Sequence, residues 1–95
     1  MTRIVVLELI FDFVNIEHIK KHKVTAEEAI LAGKHAIYHE HGKKGRYIVV
    51  GRVDKRLIAI IVRRKSLKRY YLVTARDARK EERKKVYEKE KTRIA

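Results

Sequence analysis

Basic residues recur at helical spacing after a β-rich run near the C-terminal end of the sequence. Four cations fall three and four residues apart: Arg76, Arg79, Lys80 and Arg83. Thr74 followed by Asp77 matches a capping box, which predicts that a helix begins at Ala75. In that helix the four cations would share one face and repel one another. The pattern is typical of a surface that meets an anion such as phosphate.

The charge of the chain is unevenly distributed. Of the 95 residues, 25 are Lys or Arg and 12 are Asp or Glu, a formal net charge of +13. Residues 1–44 carry +1 of that excess and residues 45–95 carry +12. The surface of a heat-adapted protein is one explanation, but enrichment of both signs would not produce this asymmetry. The second half therefore favours a polyanionic partner: RNA, DNA, an acidic protein or anionic lipid.

Composition removes several classes of protein. The chain contains no cysteine, which excludes disulfides, thiolate catalysis and cysteine-ligated zinc. The apolar start is interrupted by Glu8 and Asp12. It is too short for a membrane span and lacks the shape of a signal peptide. We expect a cytoplasmic protein that does not bind a membrane.

The first half of the sequence predicts a strand followed by two helices. Ile4–Phe11 is rich in β-branched and aromatic residues and is typical of a strand. Asn15 is the predicted cap of a short helix that ends near His22. Thr25 and Glu28 form a second capping box, with Val24 placed to pack on Ala29. Gly33 is the predicted left-handed cap at the end of that helix.

The second half predicts an antiparallel meander. Three β-rich runs are joined by short polar segments: Arg46–Val53, Leu57–Val62 and Arg69–Thr74. The middle run is apolar at every position, which places it centrally with both faces covered. Ala36–His39 is a weaker strand candidate. The sequence thus predicts one α+β domain over residues 1–95, with a charged tail from Glu88 that frays.

Two blocks resemble a known family. The first runs from Phe11-Asp12 through Asn15, His18-Ile19, His22 and Val24-Thr25 to Glu27-Glu28; the second comprises Gly45-Arg46, Gly51-Arg52, Thr74-Ala75-Arg76 and Glu82-Arg83. Their order and spacing are similar to those of BrnT-type toxins over roughly residues 10–87. The chain departs from that pattern at Phe11, where a tryptophan is usual, and at Lys23, which replaces a glycine. The segment of residues 34–44 is also short and histidine-rich.

The resemblance implies a RelE-like fold and the toxin of a two-gene toxin–antitoxin pair. It also implies RNA cleavage without a metal or other cofactor. The partners would be RNA and a cognate antitoxin. Dependence on the ribosome and formation of a homodimer stay open.

Metal-independent RNA cleavage needs a base for the 2′-hydroxyl, cations for the phosphoryl oxygens and an acid for the leaving oxygen. Arginine suits the second task because its planar fork meets two phosphate oxygens. The predicted catalytic residues are His22, Arg76, Arg83, Arg46 and Glu82. His22 is the first choice for proton transfer, and the competing interpretation is a capping or packing role at the helix end. His18 is expected to be half buried and bonded to a strand.

Further residues are predicted to bind RNA without reacting: Arg79, Lys80, Arg52, Lys21, Tyr87 and Tyr71. Exposed tyrosine rings can stack on bases. Tyr70 and Tyr71 face opposite sides of a strand, so at least one of them belongs to the core. His35, His39 and His41 lack a carboxylate or cysteine pattern around them, and no metal site is predicted.

Two other functions stay open at this stage. A module of the same fold that binds RNA or DNA without cutting would show salt-dependent affinity and no cleavage. A protein-interaction domain whose basic surface meets an acidic partner would show no RNA affinity at physiological salt.

Overall fold

The computed structural model describes residues 8–94, with side chains to residue 91. Its elements, in chain order, are β1 (Glu8–Ile10), α1 (Phe13–Lys20), α2 (Ala26–Lys34), β2 (Ala36–His41), β3 (Arg46–Val53), β4 (Arg56–Ser66), β5 (Arg69–Asp77) and α3 (Lys80–Ile94). The first four residues of the predicted Ile4–Phe11 strand lie outside the described residues. No described helix is long and apolar enough to cross a membrane.

Five strands form one mixed sheet in the order β1-β5-β4-β3-β2. β1 runs parallel to β5, and the remaining pairs are antiparallel. The fold class is therefore α+β, with an N-terminal strand and a C-terminal meander as predicted. β4 is the central strand, and Ile58, Ala59 and Ile60 are fully buried on its two faces. This confirms the prediction made from its unbroken apolar run.

The strands β4 and β5 are longer than predicted. β4 continues through Ser66, so the hairpin between β4 and β5 needs only Leu67 and Lys68. Lys68 has a φ of 67° at this turn. The cationic residues after Val62 were predicted to be a loop because they are polar. They belong to the strand instead, because the antiparallel hairpin pairs Arg63 with Tyr71 and Arg64 with Tyr70, while Lys65 lies at a shift in register.

Helices α1 and α2 cover one face of the sheet. Ile19, Val24, Ala29 and Ala32 pack there with apolar residues of the three central strands. The Thr25–Glu28 capping box is present as predicted. Val24 and Ala29 are both buried in this cluster, as the predicted staple requires.

Two predictions about these helices are wrong. Asp12, not Asn15, caps α1, and Asn15 is the third helical residue of that capping box. The Asn15 side chain is 1% exposed and donates to the carbonyl oxygens of Ile10 at 3.0 Å and Leu72 at 2.8 Å. Gly33 lies inside α2, which ends at Lys34 with His35 as its C-terminal cap. An asparagine that resembles a cap in sequence is thus used to tie α1 to β1 and β5.

Gly51 sets the distance between α2 and β3. A Cβ atom at Gly51 would lie 2.0 Å from the carbonyl oxygen of Ala32. Real atoms never approach so closely, so only glycine allows α2 to pack directly on the strand backbone at this point.

Helix α3 lies on the opposite face. Val86 packs there with Tyr38, Val50, Leu57 and Ala59. The predicted start at Ala75 is wrong, because β5 continues to Asp77 and the helix begins at Lys80. Pairing overrides the local capping signal: Ala75 lies opposite Ile60 in the core, and the Ala78 N–H donates to the Leu57 carbonyl at 2.8 Å. The helix continues through the charged segment from Glu88, where fraying stays a prediction.

Candidate functional site

The face of the sheet that carries α3 is only partly covered by it. Residues opposed across antiparallel strands project to the same face. By this rule Arg46 and Arg63 lie on the α3 side, because they oppose each other across β3 and β4. Tyr71, opposite Arg63, and Thr74, opposite Ile61, lie on the same side. We call this uncovered region, defined by Arg46, Arg63, Tyr71 and Thr74, the open face.

Two arginines lie side by side on the open face. Arg46 and Arg63 are direct partners in the ladder, where Cβ atoms are separated by about 5 Å. Among the described residues, neither forms an ion pair. Arg52, Arg56, Arg69 and Arg76 each have a carboxylate partner, by contrast. Opposed like charges destabilise a sheet, so this arrangement is one that an anion would stabilise.

Unsatisfied polar atoms gather on the same side of the sheet. Among the described side chains, three buried nitrogen or oxygen atoms lack a hydrogen-bond partner: the Tyr38 hydroxyl, Arg46 Nε and Thr74 Oγ1. Tyr38 lies opposite Val50, which places it on this side too. Buried polar groups are almost always paired in folded proteins. All three groups carry the cost of burial without a partner, and all three lie on the α3 side of the sheet.

Tyr71 links the open face to the start of α1. Its hydroxyl donates to Asp12 Oδ2 at 2.8 Å. Two hydrogen bonds hold the pKa of Asp12 below its ordinary value: the larger effect comes from the Asn15 N–H and the smaller from the Tyr71 hydroxyl. The same contact with Asp12 raises the pKa of Tyr71, while the charge of Arg63 opposes that rise. At neutral pH the pair is therefore a neutral phenol bonded to a carboxylate, with a guanidinium nearby.

Arg76 and Glu82 form the boundary between the open face and α3. Arg76 is on β5, and its two terminal nitrogens meet the two oxygens of Glu82 at 2.7 and 3.0 Å. The side chains are 15% and 8% exposed. Burial opposes ionisation of Glu82, but hydrogen bonds from Arg76 and from the Arg79 N–H, with the positive charge of both residues, keep its pKa below 4.5.

Tyr38 is buried beneath α3 and is 5% exposed. Burial, with the charges of Glu40 and Glu82, raises the pKa of its hydroxyl to about 12. The Lys85 Nζ atom lies 5.8 Å from the ring centre and also bonds Glu40 at 2.7 Å. Tyr38 is thus a neutral hydroxyl at the inner edge of the site.

The predicted cationic face of a single helix is not formed. Arg76 belongs to β5, and Arg79 precedes α3 with an exposed side chain. Lys80 and Arg83 are exposed on α3, where Arg83 donates to the Ala78 carbonyl at 2.8 Å. Because the strand extends to Asp77, Arg76 points at the sheet face and not along the helix. The four cations therefore occupy two different surfaces.

The histidines of the first helix lie far from the arginines of the open face. His22 is in the turn after α1 and precedes Lys23, whose carbonyl accepts from Arg56 at 3.1 Å. Arg56 and Arg63 are seven residues apart on β4, which places their Cα atoms about 23 Å from each other along the strand. Ile19 and Val24, which flank this turn, pack on the other face of the sheet. The structure does not bring His22 together with Arg46.

Other predicted residues are distributed around the fold. His18 is exposed, not half buried, and its ring lies 5.7 Å from that of His22. Lys21 is exposed and contributes its backbone N–H to the end of α1. Arg52 is bound to Glu90 of α3 at 2.8 Å. Tyr70 is 4% exposed in the core, which confirms that one of the adjacent tyrosines is buried. No group of three or more described His, Cys, Asp or Glu residues is arranged to hold a metal ion.

Comparison with known proteins gives a structural likeness without a sequence family. No family model matches the sequence, and no curated protein matches it. The fold is similar to that in the 1.1 Å crystal structure of the Brucella abortus ribonuclease toxin BrnT. That likeness covers 79% of this chain and 100% of that one, with a TM-score of 0.64 and 19% sequence identity. The chain has a BrnT-like fold.

Two residues of the open face, Arg63 and Thr74, and the neighbouring Asp12 were not predicted as site residues. Arg63 was predicted in a polar connecting segment, Asp12 was part of the BrnT-type blocks, and Thr74 was part of those blocks and a predicted helix cap. The basic run before Leu67 and the two adjacent tyrosines after it can be read as the two strands of one long hairpin. That alignment would have placed Tyr71 beside Arg63. The BrnT-like fold thus assembles its open face from residues far apart in sequence, whose register the sequence pattern did not fix.

Proposed function

We propose that this protein is a toxin of the BrnT-like, RelE-like group that cleaves single-stranded RNA without a metal ion. The observation that carries the proposal is the unpaired Arg46–Arg63 couple on an open sheet face. Two guanidinium forks can each present parallel N–H donors to phosphate oxygens. The likeness in fold to a ribonuclease toxin and the excess of +12 in residues 45–95 support the same function.

The reaction is an attack of the 2′-hydroxyl oxygen on the adjacent phosphorus. A bond forms between the 2′ oxygen and phosphorus while the bond to the 5′ oxygen breaks, which leaves a 2′,3′-cyclic phosphate and a 5′-hydroxyl end. Negative charge grows on the non-bridging oxygens during this step. Arg46 and Arg63 would stabilise that charge, since fixed donors aimed at developing charge act without reorganisation.

The Tyr71–Asp12 pair would accept the proton of the 2′-hydroxyl. As the Tyr71 oxygen takes that proton, its own proton passes along the existing 2.8 Å hydrogen bond to Asp12. The lowered pKa of Asp12 keeps it ionised and ready at neutral pH. The leaving 5′ oxygen takes a proton from water at the exposed side of the site, and Asp12 later releases its proton to solvent. His22 has no step in this scheme because of its distance from Arg46.

Glu82 would position Arg76 and not act as a base. Both of its oxygens are bound by Arg76, and one also accepts from the Arg79 N–H. A carboxylate so occupied has a low affinity for a further proton. Arg76 would in turn supply positive charge at the edge of the bound phosphate, beside the open face.

The partner in this proposal is an antitoxin that covers the open face. A segment bearing Asp or Glu would neutralise Arg46 and Arg63, and it would also exclude RNA. Such a segment would relieve the repulsion between the two arginines in the resting protein.

A second candidate function is RNA binding without cleavage. It is favoured by one observation: among the described residues, the open face holds no histidine, and its carboxylate Asp12 has a lowered pKa that makes it a weak base. This function would use the same arginines and the same phosphates.

The test is incubation of the purified protein with end-labelled single-stranded RNA in EDTA, with and without ribosomes. We expect products with cyclic phosphate ends. Arg46→Gln/Arg63→Gln should lower the rate by about 100-fold or more, the loss typical of removed charge stabilisation. Tyr71→Phe should also slow cleavage, whereas His22→Ala should not.

Arg64→Gln is the matched control, because Arg64 is exposed on the same strand but lies opposite Tyr70, on the other face. It should cleave at the wild-type rate. Salt-sensitive binding without cleavage would favour the second function. Cleavage that is abolished by His22→Ala and unaffected by Arg46→Gln/Arg63→Gln would refute the assignment of the site.

A further inference from the structure

One side of α3 carries a line of cations with an exposed tyrosine among them. A groove of about 460 Å³ follows this side, and it is lined by Lys80, Arg83, Lys84, Tyr87, Glu88 and Lys91. We call Lys80, Arg83, Lys84, Tyr87 and Lys91 the outer stripe. From Lys80 to Lys91 the stripe is about 16 Å long, at 1.5 Å per helical residue.

The outer stripe faces away from the open face. Lys85 reaches Glu40 on β2 from one flank of α3. Tyr87 follows it by two residues, which is about 200° around the helix. The inner side is fixed by Glu82 on Arg76, Val86 in the core and Glu90 on Arg52. These three contacts at intervals of four residues hold the stripe outward in a single orientation.

The cations of the groove outnumber its carboxylates: Lys80, Arg83, Lys84 and Lys91 line it together with one carboxylate, that of Glu88. Lys80, Lys84 and Lys91 form no ion pair or hydrogen bond among the described residues, and Arg83 donates only to a backbone carbonyl. Neighbours at spacings of three and four, such as Lys80 with Arg83 and Lys84, repel each other. On the opposite flank the pattern differs, because Lys85 is paired with Glu40.

Tyr87 determines which polyanion suits this surface. Its side chain is 56% exposed on a helix whose next residue inward, Val86, is fully buried. Exposed aromatic rings among cations are the usual platform for single-stranded nucleic acid, since bases stack on the ring while cations follow the phosphates. An acidic protein segment would need the charges but would gain less from the ring.

We propose that the outer stripe is a second binding site, which holds the single-stranded RNA that flanks the cleaved step. The inference rests on the proposed function for its substrate class. About 16 Å accommodates roughly five stacked nucleotides at 3.4 Å each. The open face would hold the reacting phosphate, and the outer stripe would hold the strand beyond it, so long RNA binds more tightly than short RNA.

The experiment measures how tightly the wild-type protein and the triple variant Lys84→Glu/Tyr87→Ala/Lys91→Glu bind two RNAs. One is a 20-nucleotide single strand, and the other is the trinucleotide at its centre. We expect the dissociation constant for the long RNA to rise by about 10-fold to 100-fold, from one lost stacking contact and two reversed charges. The slope of the logarithm of the association constant against the logarithm of the salt concentration should become shallower by about 1.4, at about 0.7 for each of the two lost phosphate contacts. Binding and cleavage of the trinucleotide should be unchanged.

Lys34→Glu/Lys89→Glu is the control, because it reverses two exposed lysines, one on α2 and one on another side of α3. Circular dichroism and thermal melting establish that both variants fold. Equal losses in the control and the stripe variant would overturn the proposal, as would an unchanged affinity for long RNA. An unchanged RNA affinity with weaker binding of a poly-glutamate peptide would assign the stripe to a protein partner and also overturn it.

The two proposals fail in different ways. If wild-type protein binds long RNA through the stripe but cleaves nothing, the nuclease proposal fails and the second site stands. If cleavage depends on Arg46 and Arg63 but the stripe variant binds long RNA normally, only the second site fails.

Discussion

Arg76 and Glu82 join the last strand to the last helix through two hydrogen bonds of 2.7 and 3.0 Å. Glu82 also accepts the Arg79 N–H at 2.7 Å, so one carboxylate fixes both the arginine and the start of α3. The pair replaces the capping signal at Thr74 as the feature that determines where the helix begins. Its loss should therefore weaken both the packing of α3 and the border of the open face.

Replacement of Glu82 should be strongly destabilising. Glu82→Gln removes the charge that balances a mostly buried guanidinium, and breaking such a pair costs about 3 kcal/mol. Chemical denaturation at pH 7 measures the change in unfolding free energy. Glu81→Gln, at the exposed neighbouring position, should change stability by less than about 0.5 kcal/mol. Equal effects at the two positions would contradict the structural role of the pair.

The contribution of Glu82 should disappear in acid. Its pKa in the folded protein is below the ordinary value of 4.5, so the stabilisation is fully present above pH 4.5 and is lost as the pH falls through the lower folded value. The difference in unfolding free energy between wild type and Glu82→Gln should therefore narrow below pH 4.5. Denaturation at pH 7, 5, 4 and 3 tests this. A difference that stays constant over this range would show that Glu82 does not act through its charge.

Removal of one arginine from the open face should raise stability and lower activity together. Arg63→Gln removes the repulsion with Arg46, which is worth about 0.2–1 kcal/mol in a cross-strand pair. The same variant should bind RNA less tightly. Thermal denaturation and RNA titration measure the two effects on one preparation. Arg64→Gln should leave both unchanged, and a destabilised Arg63→Gln would show that the couple is not strained.

Asn15 should be essential for the position of α1. Asn15→Ala leaves the Leu72 carbonyl buried without its side-chain donor, and unsatisfied buried groups cost about 1–3 kcal/mol. Asn15→Asp should be no better, because a carboxylate cannot donate to that carbonyl. Glu17→Ala removes only an exposed pair with Lys20 and serves as the control. Urea denaturation of the three variants gives the comparison, and a wild-type midpoint for Asn15→Ala would refute the role.

Gly51 should tolerate no side chain. In Gly51→Ala the new methyl group would meet the Ala32 carbonyl at 2.0 Å, so α2 must move away from the sheet at a cost of about 1–3 kcal/mol. Gly42→Ala is the control, since its nearest neighbour would be an ordinary 3.5 Å away. Thermal melting distinguishes the two. Equal melting temperatures would mean that α2 shifts without loss.

The sequence was sufficient to predict the architecture because its signals there are strong. The apolar run of β4 predicted a central strand, and the Thr25–Glu28 pattern predicted the start of α2; both are confirmed. The prediction that the last helix begins at Ala75 was wrong, because a local capping pattern competes there with strand pairing. Ala75 is buried opposite Ile60, and burial in the core outweighs the cap that Thr74 could form.

The candidate site was harder to predict because it depends on register. Arg46 was predicted from the sequence as a site residue and lies on the open face, but its ladder partner Arg63 comes from a run that looks like a polar loop. His22 shares a sequence block with the BrnT-type motif, yet it lies on the other side of the sheet from Arg46. Composition and spacing identify cations and histidines, while only the pairing of β4 with β3 and β5 determines which of them meet.

The contact between Asp12 and Tyr71 joins residues 59 positions apart. During translation, residue 12 leaves the ribosome long before residue 71, and a nascent chain without β5 cannot form this pair. The arginine couple belongs to the β3–β4 hairpin, and Arg63 precedes Tyr71 by eight residues. Under the proposed function, a chain that ends before residue 71 would carry both arginines but not the proposed proton acceptor.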